Sequence, residues 1–342
     1  PQNPAGRARA STSAAGTCGN AARHPPTRVE RSGVALDAAV QPALLIATPR
    51  VRMMGGRQRQ RDTAMGKVLD AAAIAQFRRD GLYAPVQIAS GEEARRLRAQ
   101  LEAGETDHGG PFKGSVRYKS HLLFKWLSDF IRKESVLDPV EDILGPNIMV
   151  WSTDWWVKEA NSPSYVSWHQ DSQYWGLDSS KLITLWVALS PSNVASGCMR
   201  YLLGSHLGPD LPHRETYHDD NMLTRGQEIT EGIDEAKAVN VELDPGEGSI
   251  FAFRIAHASH PNRSADRRIG LAIRFIPPDA RQIRSDHDSA ALVRGVDTHG
   301  HFELEPEPEY DFDPLAVEFH RWSEEERRKI LYHGTDWETH RT

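Results

Sequence analysis

The run Tyr165-Val-Ser-Trp-His169-Gln-Asp171 holds the residues best suited to chemistry. On a strand, alternate side chains share a face, so His169 and Asp171 would offer one imidazole and one carboxylate to a single cation. Two histidines and one carboxylate leave open positions on a non-haem iron, which makes a second histidine the missing part. His257 fits that place, 86 residues beyond Asp171, at the end of Ser249-Ile-Phe-Ala-Phe-Arg-Ile-Ala-His257. Read as one strand, this run puts Ser249, Phe251, Phe253, Ile255 and His257 on one face, apolar until the histidine. Such a face suits a dry, shaped metal cavity. In Arg268-Ile-Gly-Leu-Ala-Ile-Arg-Phe275, the residues Ile269, Leu271, Ile273 and Phe275 point one way and Arg268, Gly270, Ala272 and Arg274 the other. Gly270 and Ala272 should leave room for a ligand along the sheet. A guanidinium turned inward with no carboxylate beside it in sequence calls for an anion. A dicarboxylate held by the metal at one end and Arg268 at the other meets both needs.

These residues together resemble the phytanoyl-CoA dioxygenase family of iron(II)- and 2-oxoglutarate-dependent oxygenases. The resemblance rests on His169-Gln170-Asp171, on His257-Ala-Ser259-His-Pro-Asn262-Arg-Ser264, and on Arg268 eleven residues after His257. Trp186, Gly197-Cys198-Met199-Arg200 and Gly204-Ser205-His206 are similar to the family's middle block. It extends over roughly Phe77 to Gln282, with Leu203 standing where relatives commonly carry proline. It implies that His169, Asp171 and His257 bind Fe(II), that Arg268 and Ser259 hold the far carboxylate of 2-oxoglutarate, and that Gln170, Trp186 and Lys158 line the pocket. It implies O2 as the oxidant and hydroxylation of an unactivated C–H of a small molecule, with release of succinate and CO2. Members that chlorinate carry a small residue in place of the metal carboxylate; Asp171 occupies that position and argues against halide. Desaturation, epimerisation and ring closure by the same cofactors stay open, as do a zinc hydrolase and a non-catalytic jelly-roll binding module.

Structural roles compete for several of these residues. An isolated H-x-D pair is more often a hydrogen-bonded pair on a strand than a metal site, and only the register with His257, Ser259 and Arg268 reverses that. Trp151, Trp155, Trp156, Trp168, Tyr174 and Trp175 read as core and pocket packing. Cys198, with no base near it in sequence, reads as a small buried residue. His206, His213, His218 and His260 lack the spacing of a second metal site. Gly246-Glu-Gly-Ser249 reads as a turn before a strand, and Glu303 to Asp313 as a solvated acidic loop.

The elements that must position this constellation come in two blocks. Asp70 and Gly81 bracket a helix with Ala73, Ile74 and Phe77 on one stripe. Ser90 and Glu93 form an S-x-x-E box for a second helix carrying Ala94, Leu97 and Leu101, ending at Gly104. A third helical region spans 122–144, broken near Glu134 to Pro139. From Asn147 to Phe275 the apolar period is mostly two, with Pro, Gly, Asn and Asp clusters between segments. Helices followed by strands predict an α+β chain with an antiparallel sandwich or barrel. With the family resemblance this becomes a double-stranded β-helix, a cupin-like jelly roll flanked by N-terminal helices. The N-terminal helices, the 178–181 loop and residues 207–238 are expected to cover the pocket mouth.

Composition sets the outer limits. The 342 residues carry a net charge of −6, but residues 1–64 hold ten Arg, no Lys and three acids, a local +7, so 65–342 carry −13. That first segment has no sustained apolar period and reads as a disordered leader or upstream-translated stretch, with Met65 near the natural start of a single 65–342 domain. An acidic body offers no field for nucleic acid. No apolar run is long enough to span a membrane, and two cysteines suit a reducing, cytoplasmic setting.

Overall fold

A computed structural model describes residues 66–334. The expectations for the leader and for Met65 fall outside the described residues. The helices are α1 (Ala71–Asp80), α2 (Gly91–His108), α3 (Lys125–Ile131), α4 (Glu134–Leu144), α5 (Ser172–Trp175) and α6 (Pro314–Leu331). A seven-stranded sheet contains β1 (Leu82–Gln87), β2 (Ile148–Lys158), β4 (Ile183–Ala188), β9 (Glu247–Ala252), β11 (Arg268–Ile276), β12 (Ser289–Arg294) and β13 (Glu303–Leu304), in the order β1-β9-β4-β11-β2-β12-β13. A four-stranded sheet in the order β3-β10-β5-β8 is built from β3 (Val166–His169), β5 (Met199–Tyr201), β8 (Val239–Val241) and β10 (His257–Ser259). A small hairpin pairs β6 (His213–Glu215) with β7 (Gln227–Ile229). All these pairings are antiparallel except β12 with β13.

The local capping signals act as chemistry dictates, with informative exceptions. Asp70 accepts from the Ala73 N–H at 2.8 Å, and Gly81 closes α1 in the left-handed region at φ 74°. Ser90 accepts from the Glu93 N–H at 3.1 Å, but the Glu93 carboxylate pairs with Lys133 instead of returning to the cap. Helix α2 does not end at Gly104: it continues to a left-handed Gly109. A Cβ on Gly104 would lie 3.0 Å from Phe112 Cζ, so this glycine makes space for a packed aromatic. The break in the third helical region falls at Arg132 and Lys133, and Pro139 lies inside α4. The proline forfeits one backbone bond. Buried Val136, Leu137 and Val140 keep the helix on the core regardless.

β11 shows how the layers are arranged. Ile269, Leu271, Ile273 and Phe275 join Phe77, Leu101, Phe130 and Val140 of the N-terminal helices in one core, each fully buried side chain contributing about 1.5–3 kcal/mol. The opposite face contributes Ala272 to a second core with Trp186 and Phe251 of the same sheet and Met199, Tyr201 and Val241 of the smaller one. Helices α1–α4 therefore back the face of the large sheet turned away from this inter-sheet core, and do not form the pocket mouth as expected. The 178–181 loop is likewise elsewhere, with Asp178 bonded to the backbone of Arg281. Nor is 303–313 wholly solvated: Glu305 is buried against Lys119 and His121.

Candidate metal centre

Two long-range pairings assemble the site. β3 and β10 place His169 directly opposite His257, with ring centroids 4.1 Å apart. Asp171 does not extend the strand: β3 ends at His169, and Asp171 turns with φ −60° and ψ −31° into α5. The turn still brings its carboxylate 3.5 Å from His169 Nε2. The run from Ser249 to His257 is not one strand either. The chain leaves β9 after Ala252, turns through Phe253 and Arg254 with Ile255 N–H donating to Ala252 O, and enters β10 in the other sheet. Phe253 consequently packs in a separate cluster with Trp151 and Trp175. His169, Asp171 and His257 nevertheless present ligand atoms all within 4.8 Å of one another, the single such group found among the described residues.

Both imidazoles are oriented by their own backbones. His169 Nδ1–H donates to Ser167 O at 2.9 Å and His257 Nδ1–H to Ile255 O at 3.0 Å, leaving each Nε2 lone pair for a cation. Burial, reinforced by His169, pushes the His257 imidazole down to about 3, so the neutral ligand form prevails. Burial alone would raise the Asp171 carboxyl, but the adjoining His169 and His257 rings and the Arg274 guanidinium hold it below its ordinary value. One anionic oxygen donor with two neutral nitrogen donors fits a divalent transition metal.

On the same cavity, Arg268 is wholly buried, and its Nε, Nη1 and Nη2 atoms have no hydrogen-bond partner. Its guanidinium lies 5.2 Å over the Trp186 ring. Burial lowers it to about 10, so it stays charged at neutral pH. Lys158, opposite Arg268 in the β2·β11 register, donates to Ser259 Oγ at 2.6 Å and to His260 O. Burial and then the Arg268 charge push this amine down to about 5. Arg268 lines the cavity, whereas Lys158 and Ser259 stand behind it and do not line it as expected; no acid lies between the two basic side chains, which suits an arriving carboxylate. The space beside Gly270 is taken, because a Cβ there would meet Trp186 Cζ2 at 1.9 Å; the glycine admits an indole, not a ligand. Gln170 does not line the cavity: its amide donates to Arg254 O and accepts from Leu211 N–H, both at 2.7 Å, clamping the strand switch. Asn262 donates to Lys158 O and Asp266 O, tying the loop before β11 to the end of β2.

Residues that sequence reasoning gave no role complete the surroundings. Arg274 and Thr184 line the metal cavity, and Arg274 donates to Asp154 at 3.0 Å. Asp154 also accepts from Arg117, whose guanidinium lies 4.2 Å over Trp156. The adjoining chamber is lined by Arg327, Ile330 and Leu331 of α6 and by Leu223, Thr224 and Gln227. Part of the 207–238 expectation is met there, whereas α6 was not anticipated, although Asp313 caps it and Pro314 opens its first turn. The shared parity of Arg274 with Arg268 was the one available clue. His213 Nε2 accepts from the Gln170 N–H at 3.1 Å, which makes it a buttress. Burial raises the Cys198 thiol to about 12, in keeping with a packing role.

The family model for phytanoyl-CoA dioxygenase (PhyH) matches residues 63–270. The chain belongs to the phytanoyl-CoA dioxygenase family. A solved structure described as a non-heme monooxygenase, apo ThoJ, is similar to this family member at 36% identity and TM-score 0.68, covering 76% of this chain and 97% of that one. A probable alpha-ketoglutarate-dependent hypophosphite dioxygenase of Stutzerimonas stutzeri is 29% identical over 162 residues, 47% of this chain and 56% of the relative. CytC3 with Fe(II) and alpha-ketoglutarate, at 22% identity and TM-score 0.55 over 72% of this chain and 96% of that one, shares the fold. The PhyH-family chain spans about half the length of the curated relatives it matches. No helix among its described residues is long and apolar enough to cross a membrane.

Proposed function

We propose that this protein is an Fe(II)- and 2-oxoglutarate-dependent dioxygenase that hydroxylates an unactivated C–H of a small molecule, releasing succinate and CO2. The observation that carries this reading is the buried, unpartnered Arg268 guanidinium on the cavity that also holds His169, Asp171 and His257. A zinc hydrolase has no use for that cation. In this reading His169, Asp171 and His257 bind the iron, while Arg268, Lys158 and Ser259 receive the far carboxylate of 2-oxoglutarate. Iron and 2-oxoglutarate together supply the activation of O2. The chain's own task is placement. Ser167 O and Ile255 O fix the imidazole tautomers, Trp186 and Phe251 keep the cavity apolar, and Gln170 fastens the turn that delivers His257. Asp171 fills the position that halide would need, which favours hydroxylation over chlorination.

The reading takes residues 65–342 as one oxygenase domain whose two sheets are the halves of a double-stranded β-helix. The strand switch between β9 and β10 and the apolar core between the sheets support it. Asp171→Ala is expected to lower 2-oxoglutarate-dependent succinate release by about a thousandfold or more. A variant that turned over at the parental rate would sink the assignment.

A further inference from the structure

The inward face of β11 carries a second arginine, at the other end from Arg268. Arg274 is about 20 Å further along the strand at some 3.3 Å per residue, and lines both the metal cavity and the chamber beneath α6. Its side chain is 9% exposed, and its buried Nε has no hydrogen-bond partner. Directly opposite in the β4·β11 register stands Thr184, whose buried hydroxyl also has no partner and lines the same cavity. Register partners on one face hold their Cβ atoms within about 5.5 Å, so guanidinium and hydroxyl can donate to one acceptor. The local charge points the same way. Asp154 is shared between Arg274 and Arg117, and Arg117 too has a buried unpartnered nitrogen, Nη2. Arg327 is matched separately by Glu324. Asp171, the other acid lining both spaces, is committed to the metal in the dioxygenase reading, so Arg274 shares its one hydrogen-bonded carboxylate with Arg117, and a buried cation so placed calls for a further anion.

Resting on the dioxygenase reading, we propose that Arg274 and Thr184 receive an oxyanion of the substrate, a carboxylate or phosphate, so that the substrate class is anionic. The oxyanion anchors the molecule at one end of the β11 face while 2-oxoglutarate occupies the other. Arg274 and Thr184 are then specificity residues and take no part in holding the metal.

The full-length chain, loaded anaerobically with Fe(II) and saturating 2-oxoglutarate, is titrated with acetate and with inorganic phosphate against chloride at matched ionic strength. Tryptophan fluorescence reports binding, since Trp175 lies 4.8 Å under the Arg274 guanidinium. A saturable response to at least one oxyanion is expected, weakened about tenfold or more in Arg274→Met and about threefold in Thr184→Val. The affinity for 2-oxoglutarate, read by calorimetry, should stay the same in both variants. Thr184→Val leaves the Arg117–Asp154–Arg274 network whole, so it tests the site even where Arg274→Met fails to fold. No oxyanion response, or one that both variants leave intact, overturns the inference. So does competition between oxyanion and 2-oxoglutarate, which would assign Arg274 to the co-substrate. Failure of the parent chain to bind iron or 2-oxoglutarate would instead overturn the dioxygenase reading itself.

Discussion

Two buried clusters in this molecule each set a lysine beside a serine and differ in their charge balance. Behind β12, Lys119 donates to Ser289 O at 2.8 Å, to Ser289 Oγ at 2.9 Å and to Glu305, while His121 Nε2–H donates to the other Glu305 oxygen at 2.6 Å. Every strong donor there meets an acceptor. Beside the metal cavity, Lys158 and Arg268 lie on neighbouring strands with a serine and no acid, and three guanidinium nitrogens have no partner. Burial costs the same in both places. A closed network has answered that cost within the chain and serves stability; an open one depends on something that arrives from solution and serves binding. This distinction is physical and independent of family, and it picks Arg268 over Lys119 although both are almost completely buried.

The sharpest way to break the comparison is to remove one member from each cluster and read both stability and affinity. Glu305→Ala strands Lys119 with no anion and is expected to cost about 3–5 kcal/mol in urea unfolding, with 2-oxoglutarate affinity unchanged. The loss should itself depend on pH. Burial would raise the Glu305 carboxyl, but Lys119 and His121 hold it down to about 2, against an ordinary value of 4.5. Burial keeps His121 neutral, so Lys119 supplies the cation. A depressed carboxyl stabilises the fold fully above the unfolded value and loses that contribution as pH falls from about 4.5 towards 2. The stability gap between parent and variant should close across that window.

Arg268→Met is the counterpart. Its expected effect is about a hundredfold weaker 2-oxoglutarate binding by calorimetry, with unfolding of the unliganded protein unchanged or shifted upward, because an uncompensated charge has gone. A stability loss as large as that of Glu305→Ala would show the two clusters to be alike. The smallest effect concerns Lys158. Pushed down to about 5 by burial and Arg268, it is neutral at pH 7, and an arriving carboxylate favours its ammonium form. Binding of 2-oxoglutarate at neutral pH should take up a fraction of a proton, seen as a buffer-dependent heat, and Lys158→Met should remove it. In the unliganded protein the sign is fixed as well: the unfolded chain holds the proton between about 5 and 10.5, so stability rises with pH across that range.

Much of the site was legible as residue type and spacing, yet the local geometry inferred from spacing was wrong in two places. Period two correctly separated Ile269, Leu271, Ile273 and Phe275 from Arg268 and Arg274, because β11 is a regular strand over that stretch. The same rule failed for His169 with Asp171 and for Ser249 through His257. Both segments bend at the site, one into α5 and one from sheet to sheet, and a bend resets the alternation. Gly270 was rightly singled out as a small residue, but only the neighbouring strand could show that Trp186 uses the space. Gln170 stands between two ligands in sequence, yet its amide is spent on backbone brought from 41 and 84 residues away.

The amino-acid sequence by itself determined the helix caps at Asp70, Gly81 and Ser90, the inward arginines of β11, and the donor types His, Asp and His. Each of these follows from forces acting over a few residues. Tertiary structure decided what lies across from what: His257 against His169, Lys158 beside Arg268, Thr184 facing Arg274, and α6 over the chamber mouth. These depend on strand order and on charges meeting across long stretches of chain, where the energetics of burial are settled only once both partners are in place.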